Sequence, residues 1–319
     1  MKLRESVDEF IKYRRSIGEK YDTGAKQLNR LVKFIGVDIE LCDLTSDLVN
    51  GFLYGGHDTV NATWFIRYGV VKGLVTWAKA RGLYEGNPLP AKRPVHPERL
   101  RPYIYSNDEL RRLFEGALHY RTRRHNNERH YPQCVRMIFI LCYVLGLRLN
   151  ETLNLHIKDL DLNKHIAYIR ETKFYKSRIV TFNDTVTDTL KSFMDWRNTV
   201  GMSEAPETRL FMDVKGNPVN DKTIEGIFSR LRKRLGITRS DTRQQPRIHD
   251  LRHTFAVNRL TTWYREGEDV QQLLPYLSTF MGHSHLRHTT VYLSMTDNLL
   301  EEANKRFESF ANISDKNEN

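Results

Sequence analysis

Apolar positions recur at helical spacing through the first 80 residues. Val7, Phe10, Ile11 and Ile17 stand among charges over residues 3–17, and Leu28, Leu31, Val32 and Ile35 fall on one face of residues 21–36. Thr45 or Ser46 can cap a third helix carrying Leu48, Val49, Phe52 and Leu53, which Gly55-Gly56 ends. Trp64, Tyr68, Val71, Val75 and Ala78 step by four, three, four and three, predicting a long helix from Thr59 to about Ala80. No alternating, strand-like run interrupts the series, so the pattern describes a small all-helical module.

That pattern breaks between Gly86 and Tyr103. Pro88, Pro90, Pro94, Pro97 and Pro102 are half of the ten prolines, interleaved with Lys92, Arg93, Arg99 and Arg101. Proline at this density removes backbone donors and holds the chain extended. The stretch therefore reads as a boundary between two domains, with a reach on the order of 50 Å.

A second domain opens at Ser106-Asn-Asp-Glu109, a capping-box pattern that starts a helix running to about Leu118. His119 to His130 is basic and reads as a solvated loop. Cys134 to Leu145, apolar but for Arg136, reads as a buried helix, and Gly146 ends it. Residues 165–183 change period: Ile166, Tyr168 and Ile169 precede a polar turn, and Ile179, Val180 and Phe182 follow it. This predicts a β-hairpin with Lys173 near its tip. Helical patterning returns at 185–199, 221–235, 250–265, 269–281 and 298–310, before a polar, frayed tail from Asn312 to Asn319. The expectation is a mainly α chain: residues 1–85 a helical domain, 86–104 a linker, and 105–319 a mostly helical domain with a small antiparallel sheet.

Composition narrows the partner. Fifty basic against 39 acidic side chains give a net charge of +11 and a pI of about 9.5, a surplus that favours a polyanion, most often nucleic acid. The proline-rich stretch, with its arginines, is either a phosphate-lined passage beside a duplex or an ordinary solvated linker. Cys42, Cys134 and Cys142 form no metal-ligand spacing and no disulfide framework. The start shows no signal-peptide pattern, and the longest apolar run, Met137 to Leu147, is too short to span a bilayer. The expected setting is reduced and cytoplasmic, without a membrane.

Candidate chemistry concentrates in three places. Arg148, in Gly146-Leu-Arg-Leu-Asn-Glu151, is either a salt-bridged surface residue or a clamp whose planar fork holds phosphate, with Glu151 holding a neighbouring cation. His249-Asp-Leu-Arg252-His253 opens a helix, and His249 and Arg252 share a face at an anion-favouring helix start. Zinc is the rival there, but the second position is Asp250 rather than Glu, and Arg252 would stand beside the metal. His283, His285 and His288 form a second histidine group, again with an arginine inside it and no carboxylate near. Tyr292, with an ordinary phenol pKa near 10, needs cations around it to serve as a nucleophile.

Together these boxes resemble the tyrosine recombinase family of phage-integrase and Xer-type enzymes. Gly146-Leu-Arg148-Leu-Asn-Glu151 is similar to the family's first-arginine box, and His249-Asp-Leu-Arg252-His253-Thr to its H-x-x-R box. Gly282-His283 with Tyr292 nine residues on resembles the nucleophile box, and Thr172-Lys173-Phe-Tyr-Lys176-Ser-Arg178 the hairpin bearing the family lysine. The resemblance covers residues 107–310, and the N-terminal module resembles the family's core-binding (SAM-like) domain. It implies that Tyr292 forms a 3′-phosphotyrosyl link, that Arg148, Arg252 and His283 hold the phosphate oxygens, and that Lys173 protonates the leaving oxygen. His249 assists proton transfer at the tyrosine, and His253 supports its box rather than reacting. A preorganised set of cations takes the part a divalent metal plays elsewhere, so neither metal nor cofactor is expected.

Two departures stand out. From His249 to His283 is 34 residues, with 262–269 looking like an insertion, and Lys176 competes with Lys173 for the general-acid role. The implied partners are double-stranded DNA and further copies: a homotetramer in the synaptic complex, a monomer or weak dimer off DNA, and optionally a second recombinase or a DNA-bending protein. In the family the segment after the tyrosine packs on a neighbouring protomer, and Leu299, Leu300, Ala303, Phe307 and Phe310 form an apolar stripe that serves either that packing or packing on its own domain. The expected activity is recombination for a mobile element. The alternatives are type IB topoisomerase-like relaxation and a non-catalytic DNA-binding accessory protein.

Overall fold

The structure, a computed structural model, describes residues 1–57, 59–95, 101–120, 130–170, 177–240 and 245–294. The chain divides into two compact units, Met1–Arg99 and Leu100–Asn319.

Four helices build the first unit: α1 (Leu3–Ser16), α2 (Asp22–Ile35), α3 (Ser46–Tyr54) and α4 (Ala62–Lys79). Their apolar faces close on one core, in which Phe10, Leu28, Leu31, Phe52, Trp64 and Val71 are buried. Thr45 caps α3, accepting the Leu48 amide, and Gly55 ends it in the left-handed region at φ 57°. The fourth helix starts at Ala62 rather than Thr59 because the Asn61 side chain accepts the Trp64 amide at 3.1 Å. An Asn cap satisfies an amide that would otherwise lack a partner, and so fixes the boundary. The Tyr84 hydroxyl donates to the Leu44 carbonyl at 2.8 Å, and Leu89 packs on the same core.

In the second unit the predicted capping box is present: Ser106 and Glu109 exchange bonds at the start of α5 (Asn107–Leu118). Helix α6 (Pro132–Val144) is the centre of the core, with Ile138, Phe139 and Leu141 without exposed surface. Gly146 then turns the chain at φ +56°, and a Cβ there would stand 2.5 Å from the Phe255 ring. Only glycine both adopts that backbone and admits that ring. The turn leads into the short α7 (Leu149–Leu153).

The sheet runs β1 (Leu160–Asp161), β2 (Ile166–Ile169), β3 (Arg178–Thr181) in antiparallel order, pairing Leu160 with Ala167 and Ile169 with Arg178. The predicted hairpin is β2–β3; its tip, with Lys173 and Lys176, lies outside the described residues. Strand β1 is two residues long and carries no readable period. Helices α8 (Asp184–Thr199), α9 (Asp221–Arg234), α10 (His249–Arg265) and α11 (Val270–Met281) follow, then α12 (Arg287–Thr290) and a 3₁₀ turn, Val291–Ser294. Residues 262–265, the start of the expected insertion, are the last turn of α10, and Asp269 caps α11 by accepting the Gln271 and Gln272 amides. Residues 262–269 thus form the end of one helix and the short turn before the next. The predicted helix at 298–310, with its apolar stripe, and the tail beyond it lie outside the described residues. No helix among the described residues is long and apolar enough to cross a membrane.

Candidate active site

Three arginines meet at the C-terminal end of α11. Arg178 donates from Nε to the Phe280 carbonyl at 2.8 Å, Arg252 from Nη2 to that of Met281 at 2.6 Å, and Arg148 from Nη2 to that of Gly282 at 3.2 Å. These are consecutive carbonyls, left without intrahelical partners and lying at the negative end of the helix dipole. Gly282 adopts φ +67°, and a Cβ there would approach Arg178 Nη1 to 2.7 Å. Arg252 also donates to the Gly146 carbonyl at 2.5 Å, tying α10 to the turn that carries Arg148.

Glu151 sits under all three. Its carboxylate accepts from Arg148 Nη1 at 2.6 Å, from Arg178 at 3.1 and 2.8 Å, and lies 3.9 Å from Arg252. It also accepts the Arg148 amide at 3.1 Å. Burial alone would raise its pKa; hydrogen bonding and charge from Arg178, with the charge of Arg148, outweigh that and hold it down at about 2. Burial, then Arg148, pulls Arg252 down to about 9, so it stays a cation at neutral pH. Arg252 is 1% exposed and Arg178 9%, whereas Arg148 is 35% exposed. The arrangement buries two guanidinium groups and turns the third outward.

The second half of the site is made of rings. Tyr292 is buried, and its hydroxyl shares a hydrogen bond with His253 Nδ1 at 2.9 Å. The His283 ring stacks on the Tyr292 ring, with centroids 6.2 Å apart and planes 25° apart, while its Nδ1 is bonded to Thr289 Oγ1 at 2.8 Å. His249 meets His253 edge to face, 4.8 Å between centroids. Burial raises the phenol pKa of Tyr292 and the charges of Arg252 and Arg148 pull it back, so both arginines act on the hydroxyl electrostatically. Burial, then Arg247 and Arg252, lowers His253 to about 4; burial, then Arg252 and Arg148, lowers His283 to about 3. Both rings are neutral at pH 7, able to accept or donate a hydrogen bond without adding charge.

Arg148, His249, Arg252, His283 and Tyr292 are therefore brought to one region by α7, α10, the end of α11 and the turn after α12. Lys173 lies outside the described residues. His285, just before α12, and His288 on it are exposed and stand edge to face, 5.7 Å between ring centroids. Among the described residues no group of three or more His, Cys, Asp or Glu side chains is placed to hold a metal ion. Two contributors were not legible as such. Arg178, read as marking the returning strand, is a partner of Glu151; its signal was a basic residue opening an otherwise apolar strand. His253, read as support, touches the tyrosine hydroxyl.

The phage integrase family model matches residues 117–298. Over 306 residues the chain is 31% identical to a Sinorhizobium fredii protein named as an integrase/recombinase, y4rB, covering 96% of this chain and 97% of that one. The same fold occurs in the Tn1549 transposon integrase solved in complex with transposon right end DNA, at 15% identity and TM-score 0.68, covering 98% and 100% of the two chains. It occurs also in a lambda integrase dimer bound to a COC′ core site, at 16% identity and TM-score 0.66, covering 93% and 97%. The chain belongs to the phage integrase family and is a tyrosine-type site-specific recombinase, an enzyme that breaks and rejoins DNA.

Proposed function

We propose that Tyr292 attacks a scissile phosphate of double-stranded DNA, forming a 3′-phosphotyrosyl link and freeing a 5′-hydroxyl, and that the reverse attack by another strand completes recombination. Arg148 and Arg252, with neutral His283 as a hydrogen-bond donor, hold the non-bridging oxygens and offset the charge that develops on phosphorus. His249 assists proton transfer at the tyrosine. Lys173 is the residue we assign as acid for the leaving oxygen. The observation that carries the reading is the burial of Tyr292 in the field of Arg252 and Arg148. A buried phenol beside fixed cations is poised to become an anion only when a phosphate arrives to be attacked.

Within the same reading, residues 1–85 form the core-binding clamp, 86–104 the basic linker that passes beside the duplex, and 105–319 the catalytic domain. The synaptic assembly is a homotetramer that dissociates to monomers or weak dimers off DNA, in a cytoplasmic setting, serving a mobile element. A groove of about 710 Å³ on the catalytic unit, floored by Phe182, Val186, Trp263, Leu277 and Phe280, is where we place the terminal segment of a neighbouring copy. Strand exchange between two duplexes in EDTA tests the reading. Joined products from two different duplexes support it; relaxation of one supercoiled circle with no exchange would assign a topoisomerase instead.

A further inference from the structure

We infer that His253, immediately after Arg252, is the direct proton acceptor for Tyr292 in cleavage and the donor to it in rejoining. The inference rests on Tyr292 being the nucleophile. His253 Nδ1 is the one hydrogen-bond partner of the Tyr292 hydroxyl among the described residues, at 2.9 Å. A proton acceptor must stand within that reach of the atom it deprotonates.

The other two rings are placed for different work. His283 presents its face to the Tyr292 ring, and its Nδ1 is engaged with Thr289. His249 lies one turn earlier on α10, so its ring meets His253 rather than the phenol. Among the described residues it makes no hydrogen bond to Tyr292. His253 thus contacts both His249 and Tyr292, and it is His253 that bonds the phenol.

The environment suits a base that begins neutral. Burial first, then the charges of Arg247 just before its helix and of Arg252 on it, keep the His253 ring unprotonated at pH 7. In the tautomer with hydrogen on Nε2, the Nδ1 lone pair accepts the phenol hydrogen. As Oη bonds to phosphorus, its proton passes to Nδ1 and the phosphorus–O5′ bond breaks. The 5′-oxygen leaves with a proton from the separate acid. In rejoining, the 5′-hydroxyl gives its proton back to that separate acid as its oxygen bonds to phosphorus, the phosphorus–Oη bond breaks, and His253 returns its proton to Oη. The negative charge gathering on the phosphate stabilises the imidazolium formed meanwhile.

The test begins with nicked duplexes of randomised core sequence, from which the full-length enzyme selects a substrate by covalent capture. On that duplex, His253→Ala and His253→Asn are compared with the parent in single-turnover cleavage. His253→Asn keeps a hydrogen-bonding atom near the place of Nδ1 and guards against a folding defect. Each substrate is made with a normal 5′-oxygen and with a bridging 5′-sulfur, which leaves without a proton. Both variants are expected to lose about 10²–10⁴-fold in rate on oxygen and on sulfur alike, with DNA binding retained. Placing 3,5-difluorotyrosine, a more acidic phenol, at position 292 should recover much of that loss. Cleavage by both variants within about threefold of the parent, where a base should matter by at least about 10², would overturn the inference and leave the recombinase reading standing. A loss rescued by sulfur would overturn it too, by making His253 the acid. So would a loss that the fluorinated tyrosine leaves unchanged, by making its role structural. If the parent itself captures no duplex, the nucleophile assignment falls, and the inference with it.

Discussion

The two halves of the site are built on opposite plans. On the arginine side every guanidinium is held by main-chain carbonyls and by one buried carboxylate, so charge is fixed in place before any substrate binds. On the ring side Tyr292, His253 and His283 are neutral, and among the described residues the Tyr292 hydroxyl is held by a hydrogen bond to a single histidine. The difference fits the roles proposed for the two halves. Cations that meet a transition state lose least when they need no reorganisation. An attacking hydroxyl passes its proton along its hydrogen bond as it moves onto phosphorus, so one anchored by several bonds would resist the reaction.

If that contrast is right, its largest signature lies in stability. Glu151→Ala leaves Arg178 and Arg252 buried without their shared counter-charge, and should cost about 3–5 kcal/mol, read by urea denaturation. A loss below about 1 kcal/mol, the usual range of a surface ion pair, would mean that the carboxylate is not the hub of the arginine side. Next comes Arg252→Lys, which keeps the charge but cannot bond both Gly146 and Met281 carbonyls. Single-turnover cleavage should fall about 10²–10³-fold, the usual cost of losing one fixed transition-state donor.

Acid should separate the two halves in order. His253 and His283 have folded pKa values of about 4 and 3, below the ordinary 6.5, so the unfolded chain takes up protons first. Their contribution to stability is present above pH 6.5 and is lost as pH falls toward those folded values, by about 1.4 kcal/mol per pH unit for each ring. Glu151, at about 2 against an ordinary 4.5, contributes fully above pH 4.5 and loses up to about 3 kcal/mol as pH falls through 2. Urea midpoints measured across pH should therefore fall first below 6.5 and more steeply below 4.5, the added steepness, but not the histidine part of the fall, being lost in Glu151→Ala. The smallest effect should come from Thr289→Val, which removes one bond to His283 and costs about 1 kcal/mol in stability. Its cleavage rate should fall more than its stability suggests if that bond aims the ring.

Much of the fold was legible because each helix buries a face. Phe10, Leu28, Leu31, Trp64 and Val71 mark their elements by spacing alone, and the Ser106–Glu109 box announces α5. The beginning of α4 was misplaced by three residues because a side-chain cap at Asn61 overrides the apolar period. Strand β1, at two residues, has no period to read. In the site, Arg148, His249, Arg252, His283 and Tyr292 were each visible as side chains. Of what holds the arginines, Glu151 was legible as the partner of a neighbouring cation, whereas the carbonyls of Gly146, Phe280, Met281 and Gly282 were not, since every residue possesses one. The His253–Tyr292 bond joins residues 39 apart through the packing of α10 against the turn after α12, which no local spacing encodes.

The most direct measurement is covalent capture on nicked duplexes in EDTA, with the linked peptide mapped by mass spectrometry and Tyr292→Phe run beside the parent. The account predicts a nuclease-sensitive protein–DNA band in the parent, a nucleotide carried on the peptide containing Tyr292, and no band in the variant. A band that survives in Tyr292→Phe, or maps to another residue, would contradict it.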